Sequence, residues 1–349
     1  ALKTEDADGT STAVGFQALK TQNAGAASHN TAVGNVAGTA NTTGTYNTFI
    51  GSEAGEANTT GGNNTAIGGL ALESNTTGTN NTAIGQASLF ENIYGSKSIA
   101  VGRGTLQNQN PTGTQDMHNT AVGHEAGNDV NTGVSNTLLG SKAGDKLTTG
   151  SYNIMIGQQA GSHGVSATVA SYNILIGDFS DTSGSDSTQQ TVLGYNVSSI
   201  GPNNFTFGNG TSDSNIAFGA TSITAPSDER YKEEITTSTA GLSFINDLRP
   251  VTFKWKKEKD IPTDHKSYVA DSDTRVMDKE DKVQHGFIAQ EVKTVIDNHS
   301  ELKDGFSMWS KEGATDGDGR QRLAPSELIP MLVKAIQELS ARVTALESK

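Results

Sequence analysis

The chain has 349 residues, only 33% hydrophobic and 6% aromatic, against 40 glycines, which leaves too little apolar material for one large conventional core and puts a repetitive architecture first. It contains no cysteine, which excludes disulfide scaffolds, zinc ribbons, iron–sulfur clusters and thiol nucleophiles and leaves the redox compartment open. With 25 Lys+Arg against 38 Asp+Glu the formal charge is −13, the wrong sign for counterion-release binding to a phosphate backbone, so nucleic acid is not an expected partner.

The start, residues 1–10, has neither a basic n-region nor an apolar h-region. No stretch approaches roughly 18 consecutive apolar residues, so membrane insertion is not expected. Composition changes abruptly near Pro226, with 34 glycines before it and 6 after residue 226. Charge density rises at the same place, from 6 basic and 15 acidic residues in the first part to 19 and 23 in the shorter second part.

Within the first part a unit of the form Asn-Thr-Ala-Val/Ile-Gly recurs. Its glycines fall at Gly15, Gly34, Gly51, Gly68, Gly85, Gly102, Gly123, Gly140, Gly157, Gly177, Gly194, Gly208 and Gly219, and seven of the twelve intervals are 17 residues. Each unit holds a short β-prone stretch, such as Phe49-Ile50, closed by glycine and then by Asn, Thr and Gly turn residues. A single unit cannot bury its own apolar face. Stacked units pair each strand with its equivalent one coil away and align the Val/Ile side chains in one apolar column. The glycines suit positive φ or close backbone approach, and the asparagines suit hydrogen bonds to turn backbone or to the equivalent side chain in the next coil. At about 4.8 Å per coil, thirteen coils give a rod about 60 Å long. Three expected segments result: repeats over 1–194, junction coils over 195–226, where the intervals shrink to 14 and 11 as in a narrower neck, and a second domain over 227–349. Over most of residues 10–226 the repeats resemble the left-handed β-roll of trimeric bacterial adhesin heads and similar repeats of viral tail fibres.

After the repeats come Ser227-Asp228-Glu229-Arg230-Tyr231-Lys232-Glu233-Glu234-Ile235 and the segment from Gly241 to Trp255. Then follow His285-Gly286-Phe287-Ile288-Ala289-Gln290-Glu291-Val292 and the segment from Leu323 to Leu339. In that order these resemble the intramolecular chaperone of endosialidase, the S74 peptidase family at the C-termini of phage tail spikes and fibres. The fold class implied is a homotrimeric, mainly β repeat rod (parallel β-roll or β-helix) followed by an α+β chaperone domain ending in a long heptad helix. The resemblance also implies self-cleavage by a serine and a lysine. Ser227 and Lys232 match that pair, with Ser227–Asp228 as the scissile bond, Asp228 and Arg230 as supporting residues of the Ser-Asp-x-Arg-x-Lys pattern, and His285 as a candidate helper. Spacing alone also fits an ordinary helix N-cap followed by charged residues, and a lone histidine also fits packing or surface. A lysine acts as general base only when neutral, which requires burial or a neighbouring cation, and packing of three chains is one source of that burial.

The last helix carries Ile329, Leu332, Ile336, Leu339, Val343 and Leu346 at heptad spacings, with Ser326 expected as N-cap and Pro330 in the first turn. The helix either forms an intersubunit seam, for which β-branched a and Leu d positions favour two strands while the resemblance implies three, or packs within its own domain. Asp316-Gly317-Asp318-Gly319 lacks the third acidic ligand and the glutamate of a calcium loop and reads as a turn. Neither metal nor cofactor is expected.

The function expected is the distal part of a virion tail fibre. It contacts a host cell-surface glycan or outer-membrane receptor, joins the rest of the fibre upstream of residue 1, and loses its chaperone, made in the host cytoplasm, after cleavage. Tyr46, Tyr94, Tyr152, Tyr172 and His118, near unit junctions, are the receptor-contact candidates, with a plain solvent-exposed corner as the alternative. A tailspike depolymerase is the enzyme alternative, weakened by the scarcity of carboxylates in the repeats. A bacterial trimeric adhesin is the third, and such a protein is expected to end in a membrane β-barrel anchor rather than a helix.

Overall fold

A computed structural model describes residues 10–349 except 24–26, 165, 221, 225–226, 266, 278–280, 304 and 312–319. Pro226 and the turn Asp316–Gly319 lie outside the described residues. The chain divides into two units, residues 1–228 and 229–349.

The first unit is a parallel β-solenoid. Its ladder strands are β1 (Thr12–Val14), β2 (Thr31–Val33), β3 (Thr48–Ile50), β4 (Thr65–Ile67), β5 (Thr82–Ile84), β6 (Ile99–Val101), β7 (Thr120–Val122), β8 (Thr137–Leu139), β9 (Ile154–Ile156), β10 (Ile174–Ile176), β11 (Gln190–Tyr195), β12 (Asn204–Asn209) and β13 (Ser212–Ala217). They form one sheet in chain order. From β1 to β12 every pairing is parallel and in register, so Ala32, Phe49 and Ala66 stack directly over one another. The 21-residue interval carries an extra two-residue ladder, Gly95–Ser96 with Gln115–Asp116, reinforced by Lys97 to Asp116 at 2.6 Å.

Two expectations change at this level. First, the Val/Ile column is present but faces outward. Successive strand residues point to opposite faces, so the middle residue of each triplet enters the core: Ala32, Phe49, Ala66, Ala83, Ala100, Ala121, Leu138, Met155, Leu175 and Val192 are buried. Val33, Ile50, Ile67, Ile84, Leu139, Ile176 and Leu193 stay more than a third exposed. Second, the interval of 11 residues is not a narrower coil. β13 runs antiparallel to β12 through the two-residue turn Gly210–Thr211, and the Asn209 side-chain oxygen accepts the Thr211 and Ser212 N–H groups at 3.0 Å.

Inter-coil hydrogen bonds continue beyond the strands. The N–H groups of Gly68 and Leu70 donate back to Ile50 and Ser52 carbonyls, whereas that of Leu72 donates forward to Ser88. These bonds hold corners in the left-handed region, including non-glycine residues such as Glu53, Leu70 and Tyr46. Such a corner costs roughly 1–2 kcal/mol and persists only where neighbours over-determine it.

Inside, the asparagines form a buried ladder. Asn64 Nδ2 donates to the Gly78 carbonyl at 2.9 Å, and its Oδ1 accepts the Asn81 backbone N–H at 3.0 Å. The same pair of bonds recurs at Asn47 and Asn136. A second ladder links Asn41, Asn58, Asn75 and Asn92 side chain to side chain and ends at Gln109, after which Val130 and Leu147 are the buried residues. Asn64→Ala strands a carbonyl and an N–H in a dry interior, so urea unfolding of the full chain is expected to show a loss of about 2–4 kcal/mol.

The second unit packs α1 (Leu242–Asp247), α2 (Ala289–Asn298) and α3 (Ile329–Glu347) with two small antiparallel sheets. These sheets pair β14 (Val251–Phe253) with β15 (Gln284–Gly286) and β16 (Trp309–Lys311) with β17 (Gln321–Leu323). Its core gathers Phe244, Val292, Ile296, Met308, Leu328 and Met331. Between β14 and β15, Lys257 and Lys259 both pair with Asp273 and hold its carboxyl down at about 2.

Candidate functional site

Ser227 is exposed and non-helical, followed by half-buried Asp228. Residues Glu229–Tyr231 form one 3-10 turn, and the Lys232 N–H donates to the Glu229 carbonyl at 3.0 Å. The bond Ser227–Asp228 therefore lies beside the division between the two units. Arg230 and Lys232 are exposed. Ser227, Asp228, Arg230 and Lys232 are neighbours along one short polar stretch of the chain. A Ser/Lys pair of this kind needs an environment that strips water from the amine, and the single chain leaves both partners at its surface. His285 is exposed on β15, opposite Thr252.

The last helix separates its two faces cleanly. Leu328, Met331 and Ala335 are buried against its own unit, and Glu338 Oε2 accepts the Leu242 N–H of α1 at 3.0 Å. Ile329, Leu332, Ile336, Leu339, Val343 and Leu346 are all exposed. The intradomain contact and the heptad seam are thus different stripes of one helix. The helix start differs from expectation: Ser326 lies in the 3-10 turn Pro325–Leu328, the N-cap is Leu328 without a side-chain bond, and Pro330 falls in the first turn. The Pro325 ring favours that preceding turn and displaces the cap by two residues.

On the solenoid, Tyr46, His118, Tyr152 and Tyr172 occupy left-handed corners just before the strands and are exposed. Tyr46 stacks on His29 at 5.0 Å and Tyr152 on Tyr172 at 4.9 Å, each pair bridging adjacent coils. Tyr94 is partly exposed in a different part of the coil. Sequence reasoning missed the outward direction of the Val/Ile column, although strict alternation within a three-residue strand carries that signal. It also missed a charged cluster around His299 on the second unit, for which no motif exists.

Residues 227–301 match the chaperone of endosialidase family, Peptidase S74. That match begins at Ser227 and ends before α3, so the segment from Leu323 to Leu339 stands outside it. No curated protein and no solved structure matches the chain. A chaperone of endosialidase domain directly behind a parallel β-solenoid is the make-up of a tail-fibre or tailspike type protein.

Proposed function

We propose that this chain is the distal, host-contacting part of a phage tail fibre that assembles as a homotrimer under its own C-terminal chaperone, which then cuts itself off at Ser227–Asp228. One observation carries the reading: both units expose an apolar stripe, the Val/Ile column of the solenoid and the heptad seam of α3. Contiguous apolar surface of that extent marks an association face. A partner for the column must repeat at the coil spacing along the whole ladder, and another copy of this chain meets that requirement. Three copies of a weak surface contact then gain avidity without a tight single site.

Cleavage is the chemical step. Neutral Lys232 takes the Ser227 hydroxyl proton, the Ser227 oxygen attacks the carbonyl carbon of the Ser227–Asp228 bond of a neighbouring copy, that C–N bond breaks as Lys232 passes the proton to the Asp228 amine, and water then hydrolyses the ester so formed. Ser227 and Lys232 are exposed in one chain, so packing of further chains is the source of the burial that makes the lysine a base. Freshly expressed protein is expected to show a three-chain native mass and a fragment beginning at Asp228. Lys232→Ala and Ser227→Ala are expected to keep the chain whole and still assembled. Equally fast cutting in a dispersed single chain, or a protein that stays monomeric, removes this reading. Release of reducing sugar from host polysaccharide identifies a depolymerase instead.

A further inference from the structure

His299 follows α2 as its C-cap residue, and its side chain is only 10% exposed. The ring lies between two carboxylates from different segments: Nε2 is 2.9 Å from Asp247 Oδ2 at the end of α1, and Nδ1 is 3.0 Å from Glu301 Oε1. The Phe244 ring, wholly buried on α1, meets the imidazole edge-on at 5.3 Å. Ionised carboxylates only accept hydrogen bonds, so both ring nitrogens must donate. Only the imidazolium carries two N–H groups; a neutral ring turns a lone pair toward one of the oxygens. The carbonyl end of α2 adds further negative potential at the same place. At its opposite end α1 is tied to α3 through the Leu242 N–H and Glu338.

We propose that Asp247, His299 and Glu301 form a proton-operated latch that fastens α1 to the end of α2 while the ring is charged and loosens when the ring loses its proton. The latch lies wholly within residues 242–303 and is independent of the assembly reading. Hydrogen bonds to Glu301 and then Asp247 raise the ring's pKa from the ordinary 6.5, against the opposing effect of burial. The Glu301 carboxyl is lowered, first by its own backbone amide and then by His299. Among the described residues, other charged groups of the packed helices are engaged elsewhere: Glu291 with Arg249, Lys293 with Asp297, and Lys334 with Glu338. Lys303 meets His299 through its backbone N–H, which donates to the His299 carbonyl at 3.0 Å.

Because the folded-state pKa is raised, the stabilisation is complete below pH 6.5 and is lost as pH rises through the folded value. Both tryptophans of the chain, Trp255 and Trp309, belong to this unit, so their fluorescence reports its unfolding within the full-length protein. Urea titrations at constant ionic strength are expected to show the folded-to-unfolded ratio falling about threefold or more from pH 6 to pH 9. His299→Gln is expected to remove that slope and to match the wild type at pH 9. The double variant Asp247→Asn, Glu301→Gln keeps the ring without its acceptors and is expected to flatten the profile as well. It decides the matter if His299→Gln does not fold. An unchanged slope in the variants, or a wild-type unit that gains stability as pH rises, overturns the latch.

Discussion

Gly68→Ala is expected to break the solenoid, lowering full-chain stability by about 4 kcal/mol or more, while Gly69→Ala, one residue on, is expected to cost under about 0.5 kcal/mol. The contrast follows from position. From Gly15 to Gly208 the strand-closing glycines hold φ between +130° and +148°, a region that L side chains avoid. A Cβ on Gly68 would also sit 2.6 Å from the carbonyl carbon and oxygen of Gly85 in the next coil. Neither atom can step aside, because both belong to a backbone pinned by inter-coil hydrogen bonds. Strain of about 1–3 kcal/mol for the backbone and a similar amount for the displaced coil add at one site. On Gly69 the nearest atom to such a Cβ is the Ser52 oxygen at 3.8 Å, an ordinary contact. Calorimetric or urea unfolding of the two variants separates a backbone requirement from a general dislike of alanine. Equal effects would show that the glycine column is compositional rather than steric.

That column was legible in the sequence because its spacing is backbone geometry, repeated without regard to side chains. The parallel ladder, the corner positions and the asparagine bonds follow from the same period. The direction of the Val/Ile residues was not legible from hydrophobicity, which assigns large apolar groups to the interior. Here the interior of these coils is filled by the corner residues Leu72, Leu89 and Leu106, so Ala66, Ala83 and Ala100 face in and the larger Ile67 and Ile84 face out. The end of the solenoid was misread because intervals shrank smoothly, from 17 to 14 to 11, and the reversal lies in the turn Gly210–Thr211 that the interval count passes over.

The polar segment at Ser227 was legible as residues, and its short turn follows from adjacency in the chain. The two stripes on α3 were only half legible. Heptad spacing identified Ile329 to Leu346, whereas the packing stripe of Leu328, Met331 and Ala335 depends on where α1 lies. His299 and Asp247 stand 52 residues apart, and nothing local in either segment announces the other.

In several coils of the solenoid core volume is exchanged between two positions, and this leads to a pattern of rescue. The residue four after each closing glycine is a leucine at Leu72, Leu89 and Leu106, where the same coil's inward strand residue is Ala66, Ala83 or Ala100. It is glycine at Gly55 and Gly144, where the inward residue is Phe49 or Leu138. A Cβ on Gly55 would lie 2.4 Å from the Phe49 ring, and one on Gly38 of the preceding coil 2.7 Å from it, so this phenylalanine fills the space of two absent side chains. Phe49→Ala alone is expected to cost about 3–5 kcal/mol through the cavity it leaves. Gly55→Leu alone is expected to cost about 3 kcal/mol through overpacking against the ring. Together they rebuild the arrangement of the following coils, where Leu72 holds the same left-handed corner at φ +51°. The double variant is therefore expected to recover at least half of the Phe49→Ala loss, with the vacancy at Gly38 accounting for the rest. A double-mutant cycle by urea unfolding reads the coupling directly. Additive losses would mean that the two positions do not share one volume, and that the alternation of Leu with Gly along the corner has another cause.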